Sequence, residues 1–176
     1  MCGIAGVYLF DKNKNAVPLL YDMLIQQQRR GELSAGIATY HDQRPKRIEV
    51  HRELGLVNEV FRVRDKREKV KISRTLRGFA GLGQVRYATS GKQDRGEADM
   101  YGRQPFESQG MLMTHDWFAF GWNGNISNQK ELYEEFKGNG AYFPYEIDTE
   151  LIRRWLRLEH DRNRKGIDLV KLFSDF

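Results

Sequence analysis

Met1-Cys2-Gly3-Ile4-Ala5-Gly6-Val7-Tyr8-Leu9-Phe10 opens the chain. Residues 3–10 form a short apolar run with small residues at alternate positions, which predicts a buried strand beginning almost at the terminus. Asp11 to Asn15 is polar and turn-like, and Pro18 suits the first turn of a helix. Leu19, Leu20, Met23, Leu24 and Gln27 give that helix one apolar face, and Gly31 is placed to end it. Ser34 to Tyr40 and Lys46 to Arg52 read as two strands joined by a turn at Asp42 to Pro45. A short helix is expected over Leu56 to Val63 and a glycine-rich strand over Phe79 to Arg86. Ser90 to Arg103, rich in Gly, Asp and Lys, reads as a long polar loop, and loops of that length in a compact domain are often lids.

The aromatic stretch Met111 to Trp122, broken at His115-Asp116, reads as a β-hairpin, followed by a tight turn from Trp122 to Asn128. Helices are expected over Lys130 to Lys137, Asp148 to Glu159 and Ile167 to Phe173; Asp148 and Glu150 sit at the positive end of the second. Strands and helices in alternating blocks predict an α+β or layered α/β domain. With 176 residues and no internal repeat or linker, one domain covering 1–176 is expected.

Hydrophobic residues make up 40% and charged residues 30%, the balance of a soluble globular protein. No run of eighteen apolar residues occurs, so no membrane span is expected. The start lacks the basic and apolar segments of a secretory signal, and a chemically important Cys2 argues for the cytoplasm. The single cysteine excludes a disulfide within the chain and argues against a cysteine-based zinc site. The net charge of +5 is concentrated in Arg62 to Arg77, with eight Lys or Arg residues against two acids. Without interleaved aromatics or a nucleic-acid motif, that stretch reads as a solvated helix or loop rather than a polyanion site.

Several residues could carry chemistry. Met1 is readily removed when the second residue is small, which would leave Cys2 with a thiol and a free amine on one residue. That amine, directly or through a water, can take the thiol proton, giving an N-terminal nucleophile. The alternative is a small buried hydrophobe on the first strand. Asn123-Gly124-Asn125 follows an aromatic strand. It is either a hairpin turn or an oxyanion hole formed by the Asn123 side chain and the Gly124 N–H. Arg86 ends a glycine-rich strand, where its guanidinium could take a carboxylate through two hydrogen bonds. Asp148 opens a helix, where it is an N-cap or an acceptor for an ammonium group. An arginine for the carboxylate and an aspartate for the amine together describe an α-amino-acid pocket.

Together these blocks resemble the class II glutamine amidotransferases. The opening Met1 to Gly6 is similar to that family's start. Arg30-Gly31 with Ser34-Ala35-Gly36-Ile37, Gly83 to Thr89, Gln104-Pro105-Phe106, Asn123-Gly124-Asn125 and Asp148-Thr149-Glu150 are similar to its later blocks, in the family's order. Gly55 to Phe61 and Asn123 to Asn128 are most similar to the glutaminase domains of glutamine phosphoribosylpyrophosphate amidotransferases. The resemblance implies the four-layer αββα sandwich of N-terminal-nucleophile hydrolases. It implies hydrolysis of glutamine to glutamate and ammonia through a γ-glutamyl thioester. Cys2 would be the nucleophile, Asn123 and Gly124 the oxyanion hole, Arg86 the carboxylate site and Asp148 the amine site. Tyr87 and Thr89 would line the pocket, and Ser90 to Asp99 would close over it. The implied partners are glutamine, a synthase subunit or domain that accepts ammonia, and further copies of the chain in an oligomer. No cofactor, metal, nucleic acid or membrane is implied.

The sequence also departs from the family. Trp122 stands where relatives often carry histidine, and Gln28-Arg29-Arg30-Gly31 replaces their Gln-His-Arg-Gly. Domains of this class continue with further strands beyond the helix at Asp148, so the sandwich is expected without its last strands, and no phosphoribosyltransferase half is present in the sequence. Two other readings remain at this level: a non-catalytic, regulatory glutamine-binding relative, and an N-terminal-nucleophile hydrolase of a different amide.

Overall fold

The computed structural model describes residues 2–87, 97–108, 118–143 and 145–162. They fall into two compact units, Met1–Gly124 and Asn125–Phe176. The first unit is built on a four-stranded antiparallel sheet. Its strands are β1 (Gly3–Tyr8), β2 (Ser34–Tyr40), β3 (Ile48–Leu54) and β4 (Ala80–Arg86), in the order β1-β4-β2-β3. β4 is therefore an inner strand, with Gly3 opposite Val85 on one side and Ser34 opposite Arg86 on the other.

One face of this sheet is covered by α1 (Val17–Gln26). Its start is held by the Asn15 carboxamide oxygen, which accepts from the Val17 N–H at 3.2 Å. Val17, Leu20 and Leu24, at i, i+3 and i+7, point into the core with Ala5, Ala35, Ile37 and Val85. The sheet accepts this helix closely because β4 has no side chains where the leucines land. A Cβ at Gly81 would lie 3.0 Å from Leu20 Cδ1, and one at Gly83 would lie 3.0–3.2 Å from the Leu24 side chain. The expected apolar face is thus rotated: Leu19 and Met23 are exposed, because only the stripe through residues 17, 20 and 24 meets the sheet. Gly31 does not cap this helix either. A single 3₁₀ turn, Gln28–Arg30, intervenes, and Gly31 itself is extended at φ −164°.

Two short helices follow β3. α2 (Val57–Val60) buries both of its valines and is shorter than the expected 56–63. α3 (Lys66–Thr75) carries most of the basic stretch on a helix with no buried residue, its N-terminus capped by Asp65, which accepts from the Arg67 and Glu68 N–H groups. The expected polar loop contains a short helix, α4 (Glu97–Tyr101).

A second sheet pairs β5 (Phe106–Ser108) with β6 (Phe118–Phe120). Phe118–Phe120 thus finds its partner before residue 111, outside the expected hairpin; residues 111–117 of that hairpin lie outside the described residues. The entry to β5 rests on the sheet face opposite α1. Arg52 of β3 stacks its guanidinium 5.1 Å from the Phe106 ring centroid and donates to the Pro105 carbonyl. A Cβ at Gly36 of β2 would lie 2.7 Å from Arg52 Cβ and 2.9 Å from Pro105 Cδ. Helix, sheet and second sheet are successive layers of the α+β architecture expected from the sequence.

The second unit contains α5 (Gln129–Gly138) and α6 (Asp148–Arg162). α5 ends where Gly140 adopts a left-handed φ of +81°, a conformation that favours glycine. Buried Tyr133 joins the two helices: its hydroxyl donates to the Ile147 carbonyl at 2.9 Å and its ring meets Phe143 edge-on at 4.7 Å. That burial, reinforced by Glu150, raises the Tyr133 pKa well above the ordinary phenol value. The helix expected over 167–173 lies outside the described residues.

Leu24→Ala should lower the unfolding free energy by about 2–5 kcal/mol through lost burial and the cavity left against β4. Met23→Ala, one position away on the solvent side, should change it by less than about 0.5 kcal/mol. Urea denaturation of the two variants checks the rotation of α1.

Candidate active site

The sheet register brings the separate sequence blocks to one end of the sheet. Gly3 faces Val85, so Cys2, one step earlier, stands level with Arg86 on the neighbouring strand. Cys2 is 8% exposed. Its carbonyl accepts a hydrogen bond from Asn123 Nδ2 at 3.1 Å, so the Asn-Gly segment is tied directly to the start of β1. Gly3 makes room for this crowding: a Cβ there would lie 3.0 Å from both Gln27 Cβ and Val85 Cγ2. Gln27 in turn donates to the Ile4 carbonyl at 3.3 Å. Sequence reading put Gln27 on the apolar face of α1 and missed this contact, which depends on a pairing 23 residues away.

Arg86 is held at several points. Its carbonyl accepts from the Leu33 N–H at 3.0 Å. Gly31 packs on its backbone so closely that a Cβ would lie 2.6–2.7 Å from the Arg86 N, C and O atoms. This is the physical use of the Arg30-Gly31 block. The Arg86 guanidinium lies over Gly102, where a Cβ would come within 2.7 Å of Nη1. Nη1 also reaches the Asp99 carboxylate and carbonyl, each at 3.4 Å. Asp99, at the end of the expected lid and inside α4, therefore offers a carboxylate to the arginine read as a carboxylate site. Its partner could not be named from sequence, because the contact joins residues thirteen apart and no local pattern records it.

Tyr87 is half-exposed just beyond Arg86. Thr89, and Ser90 to residue 96 of the expected lid, lie outside the described residues. Gly124 packs against the Trp122 indole, where a Cβ would lie 2.6 Å from Cζ2. In the second unit, Asp148 opens α6, and its Oδ2 accepts from the Ile126 N–H at 3.2 Å, fastening the helix start to the turn that precedes α5. Among the described residues, no cluster of three His, Cys, Asp or Glu side chains could hold a metal ion, and no helix is long and apolar enough to cross a membrane.

Gly31→Ala should destabilise the protein by about 1–3 kcal/mol, since backbone atoms of Arg86 must move to admit the methyl group. Gly6→Ala, with nothing within 4 Å of the new methyl, should be close to neutral. Comparing denaturation midpoints of the pair separates close approach from a general glycine effect.

No protein-family model matches the sequence. The chain is 35% identical over 174 residues to an amidophosphoribosyltransferase of Methanothermobacter thermautotrophicus, covering 99% of this chain and 33% of the relative. It is 34% identical to an amidophosphoribosyltransferase of Pasteurella multocida (99% of this chain, 31% of the relative). It is 30% identical to a glutamine–fructose-6-phosphate aminotransferase of Bradyrhizobium diazoefficiens (98% and 24%). The chain thus spans about a third or less of the length of these relatives. Among solved structures, it shares the fold of the B. subtilis glutamine phosphoribosylpyrophosphate amidotransferase complexed with ADP and GMP. There the TM-score is 0.71 at 22% identity, over 99% of this chain and 32% of that one. The similarity along nearly the whole chain and the shared fold liken this protein to the N-terminal third of these amidotransferases, in line with the resemblance that the ordered motif blocks carry.

Proposed function

We propose that the chain hydrolyses glutamine to glutamate and ammonia, with Cys2 as nucleophile once Met1 has been removed. The observation that carries this reading is the meeting of Cys2, Arg86 and Asn123 at one end of the sheet. A thiol, a cation for a carboxylate and an amide donor are the groups that an amide-cleaving site for an α-amino acid requires.

In the proposed reaction the Cys2 Sγ attacks the glutamine side-chain amide carbon, and its proton passes to the freed α-amine. The carbonyl π pair moves onto oxygen and forms a tetrahedral oxyanion. Asn123 Nδ2 carries two hydrogens; one lies on the Cys2 carbonyl, and the other, with the Gly124 N–H, is the proposed donor to the oxyanion. A donor of this kind is worth about 10²–10³ in rate. Collapse of the intermediate breaks the C–N bond, and the α-ammonium returns the proton to the departing ammonia. Water then hydrolyses the γ-glutamyl thioester, releasing glutamate and restoring the thiol.

Arg86 is assigned the substrate carboxylate, which would take over the guanidinium edge now turned to Asp99. Tyr87 and Thr89 are assigned to the pocket lining. Asp148 is the candidate acceptor for the substrate ammonium group, an assignment carried by the family resemblance. The relatives are about three to four times as long as this chain and are named amidophosphoribosyltransferase and glutamine–fructose-6-phosphate aminotransferase. The ammonia is accordingly proposed to pass to a synthase domain or subunit, with a purine-type amidophosphoribosyltransferase the most similar system.

Cys2→Ala should remove glutaminase activity while leaving the circular dichroism spectrum and denaturation midpoint unchanged; release of glutamate at the wild-type rate by this variant would sink the nucleophile assignment. Arg86→Ala should raise KM for glutamine about 10- to 100-fold, the loss of a charge-assisted pair worth roughly 1.5–3 kcal/mol. Steady-state kinetics on protein whose mass confirms removal of Met1 makes both measurements.

A further inference from the structure

We infer that Gln84 and Gln104 are positioning residues that clamp the Trp122 backbone at its carbonyl and its N–H and so set where Asn123 and Gly124 stand against Cys2. The inference rests on the reading of those three residues as nucleophile and oxyanion donors.

Both glutamines are almost wholly buried, at 1% and 5% exposure. Buried carboxamides are costly unless they are hydrogen-bonded, so two of them on the backbone of one residue call for a reason. Gln84 Nε2 donates to the Trp122 carbonyl at 2.8 Å, and the Trp122 N–H donates to Gln104 Oε1 at 2.6 Å. The chemistry fixes the orientation of both side chains, because a carbonyl can only accept and a backbone N–H can only donate. β6 ends at Phe120, so Trp122 lies beyond the sheet ladder and these side chains take the ladder's place.

The clamp is built from separated parts of the chain. Gln84 comes from β4, opposite Ile4 of β1, the strand that Cys2 immediately precedes. Gln104 comes from the segment entering β5. Each has a slot kept free by glycine. A Cβ at Gly121 would lie 2.6 Å from Gln84 Oε1, and one at Gly36 would strike the Gln104 carbonyl. The residue after Trp122 is Asn123, whose side chain reaches Cys2, and the next is Gly124, which packs on the Trp122 indole. Asn123 and Gly124 are themselves exposed, so their positions depend on the half-buried Trp122 backbone that the two buried glutamines hold. Gln84 thereby ties β4, the strand paired with β1, to the oxyanion segment through a single side chain. Donors stabilise an oxyanion only when they stand at hydrogen-bond distance from where it forms. A loosened Trp122 would therefore slow the chemical steps while leaving the carboxylate site at Arg86 intact.

The test uses the full chain with Met1 removed. Gln84→Met and Gln104→Met keep the side-chain length and remove the donor or acceptor, whereas Gln104→Glu keeps an acceptor for the Trp122 N–H. Each Met variant should lose about 10- to 100-fold in kcat, the scale of a small misplacement of catalytic groups. KM should stay within about 3-fold, as expected when an interaction made in the transition state is lost. Alkylation of Cys2 by iodoacetamide, which forms no oxyanion, should keep its wild-type rate, and Gln104→Glu should recover most of the kcat. If a Met variant does not fold, Gln84→Asn and Gln104→Asn, shorter by one methylene, carry the same expectation. Wild-type kcat in the substituted proteins overturns the clamp alone, and so does alkylation that slows in step with kcat. No turnover by the wild-type protein overturns the glutaminase reading and the clamp with it.

Discussion

The pairing of β4 between β1 and β2 is the constraint on which the first unit depends. Its register places Gly81 and Gly83 under Leu20 and Leu24, which lets α1 approach the sheet. The same register turns Gln84 to the opposite face and sets Cys2 level with Arg86. A one-residue slip would exchange the faces, putting a glutamine beneath the helix and glycines beneath the second sheet. Core packing and site geometry therefore follow from one ladder of hydrogen bonds, and neither can shift without the other.

Around that ladder the site is assembled by close backbone approach and by buried polar contacts. Gly3, Gly31, Gly36 and Gly102 each stand where a methyl group would collide with a neighbouring segment. The segments that carry Gly31, Gln104 and Asn123 come close against the sheet where those side chains are absent. Asn123 closes onto the Cys2 carbonyl, and Gln84 and Gln104 hold the peptide before it. A rigid sheet carrying exposed functional loops is a common division of labour. Here buried carboxamides take the place of strand pairing where the segment at Trp122 meets the sheet.

The pairing of Arg86 with Asp99 adds a second consequence. An arginine suited to a substrate carboxylate meets a carboxylate of its own chain at 3.4 Å, a long contact for an ion pair. Such a contact satisfies the guanidinium without holding it strongly, so a better-fitting carboxylate can replace it. The basic helix α3 is by contrast largely solvated, capped by Asp65 and packed on the core through half-buried Ile72.

Much of this was legible in the sequence by itself. The strand Ser34–Tyr40 and the glycine-rich strand ending at Arg86 follow from local pattern, as do the helices that begin near residues 129 and 148. So does the order of blocks that marks the family, from Cys2 through Arg86 to Asn123-Gly124 and Asp148. These features are written in short windows, where periodicity and residue type act on their own neighbours. Only the tertiary structure decided which stripe of α1 is buried, why Gly31 must be glycine, which strand pairs with Phe118–Phe120, and that Gln27, Gln84, Gln104 and Asp99 hydrogen-bond to Ile4, Trp122 and Arg86. Each of those depends on segments tens of residues apart meeting in one register, and nothing in a local window records which partner the sheet will supply.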